Sequence, residues 1–119
     1  MKIVHVENDA DTRSAVKDVF NKNGYQVISI GNPKKAAAII KKEKPDLVLL
    51  DIMMPGMSGW DVYKAIRKID KKVKVAFLSV LEISQERKDR LAKEGICGYI
   101  MKPFTASGIL KTVKKIAKT

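Results

Sequence analysis

Four apolar runs in this chain are each followed or closed by residues able to do chemistry. Glu7, Asn8 and Asp9 follow "KIVHV", Asp51 follows "DLVLL" with its own Asp46 at the start, Ser79 follows "VKVAFL", and Lys102 follows "CGYIM". Carboxylates and an amide oxygen are hard ligands that suit Mg2+ or Mn2+, whereas zinc favours His and Cys. A carboxylate such as that of Asp51 is also a nucleophile that can take up a phosphoryl group as a mixed anhydride. The Lys102 ammonium and the Ser79 hydroxyl would supply positive charge and a hydrogen bond to that group. Taken singly, each residue has a plainer explanation. Asp51 can open a turn, Glu7, Asn8 and Asp9 can cap a helix, Ser79 can end a strand, and Lys102 can be a solvated lysine.

Whether these residues meet depends on the elements that carry them. Strand-like runs at 2–6, 25–30, 46–50, 73–78 and 97–101 alternate with amphipathic stretches. The first stretch places Ala15, Val16, Val19 and Phe20 on one helical face before Gly24. Asn32 and Pro33 read as a cap and first helical residue, and Pro45 stops that helix. Residues 59–69 carry Val62, Ile66 and Ile69 at helical spacing, Ser84 and Gly95 bracket a polar helix, and the last helix begins near Thr105. Its apolar face holds Ile109, Leu110, Val113, Ile116 and Ala117. Five strands alternating with five helices predict an α/β fold, a doubly wound parallel sheet covered on both faces. The run "KVKVAFLSVL" reads as a strand buried on both faces. In such sheets ligands bind outside the carboxyl ends of the strands. Four strand ends would then bring three acids, an amide, a hydroxyl and an ammonium to one rim.

The composition fits a soluble protein of one domain spanning 1–119, with 45% hydrophobic residues. No apolar run reaches membrane-span length, and no secretion signal is visible, so the expectation is a cytoplasmic protein with no membrane partner. Cys97 is the only cysteine and is expected to be a small buried residue. The formal charge of +11 comes mostly from lysine and is read as a solvated surface, with no direct DNA contact expected.

The blocks "VENDADTR", "LVLLDIMMPGMSGWDV", "AFLSV" and "GYIMKPF" resemble the signature segments of response-regulator receiver domains of two-component signalling. The resemblance spans essentially the whole chain, and "DIMMPGMSG" and "KPF" at this separation make it specific. It implies a flavodoxin-like sheet of order 2-1-3-4-5. It also implies that Asp51 is the phosphoacceptor, that Glu7 and Asn8 are the metal-binding pair, and that the Met53 backbone carbonyl is a further ligand. Ser79 and Tyr99 resemble the switch residues, and Lys102 resembles the conserved-type lysine, before a Pro103 bond that is usually cis. The implied cofactor is Mg2+ or Mn2+. The implied partners are a sensor histidine kinase or phosphotransfer protein and a downstream protein met through the fourth helix, fifth strand and last helix. Such a chain is a regulatory phosphoacceptor rather than an enzyme, with no output domain expected within it.

Two positions depart from the pattern. Asn8 stands where the family usually has Asp, which removes one charge from the metal site; Asp9 is a possible replacement. Val80 stands where Ala or Gly usually follows the switch residue, and its bulk could hinder phosphodonors. These departures keep an alternative open, a degenerate receiver acting as a phosphorylation-independent interaction module. An aspartate-nucleophile phosphatase is disfavoured because its second Asp would fall at Met53. A flavodoxin is disfavoured because "ENDAD" would repel a flavin phosphate.

Overall fold

Each apolar run forms a strand and each amphipathic stretch a helix in the computed structural model, which describes residues 1–118. The elements are β1 (Lys2–Val6), α1 (Ala10–Lys22), β2 (Gln26–Ile30), α2 (Ala36–Glu43), β3 (Leu47–Leu50), α3 (Gly59–Ile69), β4 (Lys74–Ser79), α4 (Gln85–Lys93), β5 (Ile96–Met101) and α5 (Ala106–Ala117). A short 3-10 turn, Pro33–Lys35, with Asn32 as its cap, leads into α2. All strand pairs are parallel, in the predicted order β2-β1-β3-β4-β5.

Alternation along the central strands divides the core into two layers. Val4, Val6, Val48, Leu50, Val75 and Phe77 pack against Ile40 of α2, Val62 and Ile66 of α3 and Leu91 of α4. Ile3, Leu47, Leu49, Ala76 and Leu78 pack against Val16 and Phe20 of α1 and Ile109, Val113 and Ile116 of α5. Side-chain caps start the helices: Asp9, Ser58, Ser84 and Thr105 each accept a backbone N–H three residues on. Each of α1 to α5 also carries Lys or Arg in its last turn, which favours the negative end of the helix dipole.

Several sequence expectations need correction. β4 ends at Ser79, and Val80 and Leu81 are 60% and 41% exposed rather than buried. Ala15, Ile69 and Ala117 also face solvent, because the buried stripe of each helix is narrower than its apolar pattern. Cys97 is exposed, not buried. The reason is a bulge: Ile96 lies opposite Val75 and Gly98 opposite Ala76, so Cys97 is the extra, unpaired residue of an edge strand. One inserted residue moves every later side chain of β5 to the other face of the sheet.

Candidate functional site at the strand ends

Three backbone hydrogen bonds continue the parallel ladder just past the strands and fix the first residues of the loops. Glu7 N–H donates to Ile30 O at 3.0 Å, Asp51 N–H to Val6 O at 3.0 Å, and Lys102 N–H to Ser79 O at 2.8 Å. Alternation then assigns faces. Glu7 and Asp51 continue the side of the sheet covered by α1 and α5, one step beyond His5 and Leu49, which are register partners. Because of the bulge at Cys97, Lys102 falls on that same side and Tyr99, opposite Phe77, on the other. Without the bulge the two would be exchanged.

Glu7 and Asp51 are only 1% and 5% exposed. The Lys102 ammonium makes a short ion pair with Glu7 Oε1 and lies 3.5 Å from Asp51 Oδ2. The other Asp51 oxygen, Oδ1, accepts the Met53 N–H at 3.2 Å. Burial pushes the Glu7 carboxyl up to about 7, and Asp51 adds to this through a hydrogen bond and its charge, against the pull of Lys102. Two carboxyl groups therefore share one ammonium in a dry setting, and when both are ionised one negative charge is in excess.

That imbalance is the observation against which a metal can be tested. Two buried carboxylate oxygens, with an amide and a backbone carbonyl nearby in sequence, form a hard donor set that fits Mg2+ or Mn2+. Among the described residues no three His, Cys, Asp or Glu side chains converge on a metal-sized point. Further donors would have to come from the amide oxygen of Asn8 and the carbonyl of Met53, both in exposed loops. Asp9 is engaged with its own helix. Its Oδ2 accepts Thr12 N–H at 2.9 Å and the Thr12 hydroxyl at 2.6 Å, so it caps α1, and these bonds hold its carboxyl below the usual range.

Ser79 is fully buried at the last position of β4, and its Oγ accepts the Leu81 N–H at 3.3 Å. Tyr99 lies half-buried on the same face, its hydroxyl donating to Leu81 O at 2.5 Å. The two predicted switch residues thus grip one loop, 79–81. Val80 points outward beside Lys102, Pro103, Phe104 and Ala15, lining a shallow hollow. The Lys102–Pro103 bond is cis, as the resemblance implied.

Two site residues escaped the sequence reading. His5 is fully buried beneath the carboxylates, with neither ring nitrogen hydrogen-bonded, and burial lowers it to about 4. The i, i+2 spacing of His5 and Glu7 on a strand was the signal that could have found it. Gly59 opens α3 directly against the Asp51 loop. A Cβ there would lie 2.4 Å from Asp51 O and 2.8 Å from Ile52 Cα, so only glycine allows this approach.

Known proteins resemble this chain throughout. The profile of the response regulator receiver domain matches residues 3–114. Sporulation initiation phosphotransferase F of Bacillus subtilis is 37% identical over 117 residues, covering 96% of this chain and 91% of that protein. Chemotaxis protein CheY of Thermotoga maritima is 34% identical over 118 residues, covering 98% of both. The structure of chemotaxis protein CheY4 of Vibrio cholerae superposes with a TM-score of 0.86 at 28% identity, over 97% of each chain.

Proposed function

The chain belongs to the response-regulator receiver family, and from that premise we propose that it is a phosphorylation-dependent switch whose acceptor is Asp51. The observation that carries the reading is the placement of the Asp51 carboxylate. It sits at the floor of the rim with Lys102 at 3.5 Å from one oxygen and the Met53 N–H at 3.2 Å from the other. In the reaction a carboxylate oxygen attacks the phosphorus of a phosphohistidine on a sensor kinase or phosphotransfer protein. The new P–O bond makes an acyl phosphate, the P–N bond breaks, and the leaving imidazole takes up a proton. Lys102 offsets charge on the transferred group, and holding it 3.5 Å away beforehand avoids reorganisation during transfer. A divalent cation bound by Glu7, Asp51, the Asn8 amide and the Met53 carbonyl would neutralise further charge on the phosphoryl oxygens.

The output is a two-state change. Ser79 hydrogen-bonds a phosphoryl oxygen instead of the Leu81 N–H, which releases loop 79–81 and lets Tyr99 turn inward. The surface altered is that of α4, β5 and α5, where a target protein would bind. The alternative, an interaction module that needs no phosphate, is separated by one measurement. Acetyl phosphate with Mg2+ should add about 80 mass units to the intact protein and none to Asp51→Asn. An adduct that persists in the variant would remove Asp51 from the role. Absence of any adduct in the parent protein would favour the module.

A further inference from the structure

The sequence carries an excess of eleven positive charges, and the fold gathers them at one end. Because every strand is followed by a helix running back, strand starts and helix ends share one pole of the molecule. The first strand residues, last helical turns, helix C-caps and the turns between them hold 15 of the 24 Lys and Arg. They hold only four of the 13 acids, namely Glu43, Asp46, Asp70 and Glu94. The other nine cations and nine acids cancel, so the whole formal excess of +11 lies opposite the Asp51 rim.

Favourable pairing with helix dipoles explains one or two cations per helix end but not Lys71 and Lys72 in the α3–β4 turn. Lys22, Lys42, Lys72 and Lys115 are exposed and come from four different segments around the pole. Lysine is depleted in the cores of protein–protein interfaces, whereas nucleic-acid interfaces are strongly positive. Arginines that could read base edges are few here. Arg67 is held by the carbonyls of Val73 and Gly95, which leaves Arg90 alone at the pole. Flexible point charges of this kind engage phosphates and carry no sequence information. The molecule measures 32 × 31 × 29 Å. Over such a width duplex DNA presents on the order of 18 backbone charges at one per ~1.7 Å. A membrane fits less well, because the cations sit on helix ends and not on a flat amphipathic helix with an apolar face.

We propose that this pole is a sequence-independent binding surface for the phosphate backbone of duplex nucleic acid. Composition alone favoured a solvated surface over such contact; the gathering of the charge reverses that preference. Binding there leaves the Asp51 rim facing away and open to a phosphodonor.

The test is fluorescence anisotropy of the whole chain with a labelled 20-base-pair duplex. With about five phosphates neutralised, affinity should fall roughly 500-fold between 50 and 200 mM salt. Replacing Lys22, Lys42, Lys72 and Lys115 together by Gln should lower the salt slope by about 3 to 4. Replacing Lys17, Lys34, Lys35 and Lys64 by Gln removes the same charge from the other half and should leave binding unchanged. Circular dichroism checks that both variants fold. Equal loss in the two variants would mean net charge alone acts, and overturns the proposal. So would no duplex binding up to about 10⁻⁴ M protein at 50 mM salt. Capture by phosphatidylserine vesicles without duplex binding would assign the pole to membranes instead.

Discussion

Asp51→Asn should stabilise the folded protein at alkaline pH, and the reason lies in Glu7. Its carboxyl has an ordinary value of 4.5 and is pushed up to about 7, first by burial and then by Asp51. A raised folded-state value means that the folded protein holds a proton the unfolded chain gives up. The associated stability is fully present below pH 4.5 and is lost as pH rises through 7. At roughly 1.4 kcal/mol per pH unit, the loss by pH 8.5 is about 3 kcal/mol. An Asn at position 51 removes the neighbouring charge and offers an amide N–H to the ionised carboxylate. Burial remains, partly offset by Lys102, so only part of that roughly 3 kcal/mol loss should be recovered. Urea denaturation followed by far-ultraviolet circular dichroism, with chelator present, measures this at pH 5 and 8.5. The variant and parent should be nearly equal at pH 5, with the variant ahead at pH 8.5 by less than the roughly 3 kcal/mol total. His5, lowered to about 4, is mostly neutral in the folded parent at both pH values. Losing the Asp51 charge, which raises it, lowers it further, so its titration adds little to the difference. A difference that is the same at both pH values, or a variant less stable at 8.5, would refute strain between the two carboxylates.

Other residues give sharper single outcomes. His5→Leu should remove an acid liability: the imidazole is lowered from 6.5 to about 4, so the parent loses about 3 kcal/mol as pH falls from 6.5 through 4, and the variant does not. Gly59→Ala should cost roughly 1–3 kcal/mol in chemical denaturation, because its Cβ would meet the Asp51 carbonyl at 2.4 Å and push α3 away from the site. Asp9→Ala should cost about 1 kcal/mol through the lost α1 cap while leaving the midpoint of a Mg2+ titration in place. Asn8→Asp should move that midpoint to lower Mg2+, and no movement would leave Asn8 outside the metal site.

Periodicity and end signals in the chain determine its elements. Continuous apolar strands, capping residues such as Ser84 and Thr105, and Gly24 and Gly95 at φ of 82° and 97° place the helices and sheet to within a residue or two. The polar residues Glu7, Asp51, Ser79 and Lys102 are legible too, because each directly follows or ends an apolar run. Local patterns could not decide which face each side chain takes, since that depends on pairing between distant strands. The bulge at Cys97 puts Lys102 on the face of Glu7 and Asp51 and Tyr99 on that of Ser79. Gly98 in "ICGYIM" is only a weak local hint of it; the bulge is defined by its mismatch with β4. The same holds for burial. The apolar stripe could not tell Val80 and Cys97 from core residues, because an edge strand and a strand end leave sides that no helix covers. His5 is the converse, a polar residue that alternation places in the core directly below two carboxylates. Charge follows the same division. The count is written in the sequence, but only the antiparallel run of every helix against its strand collects the excess at one pole.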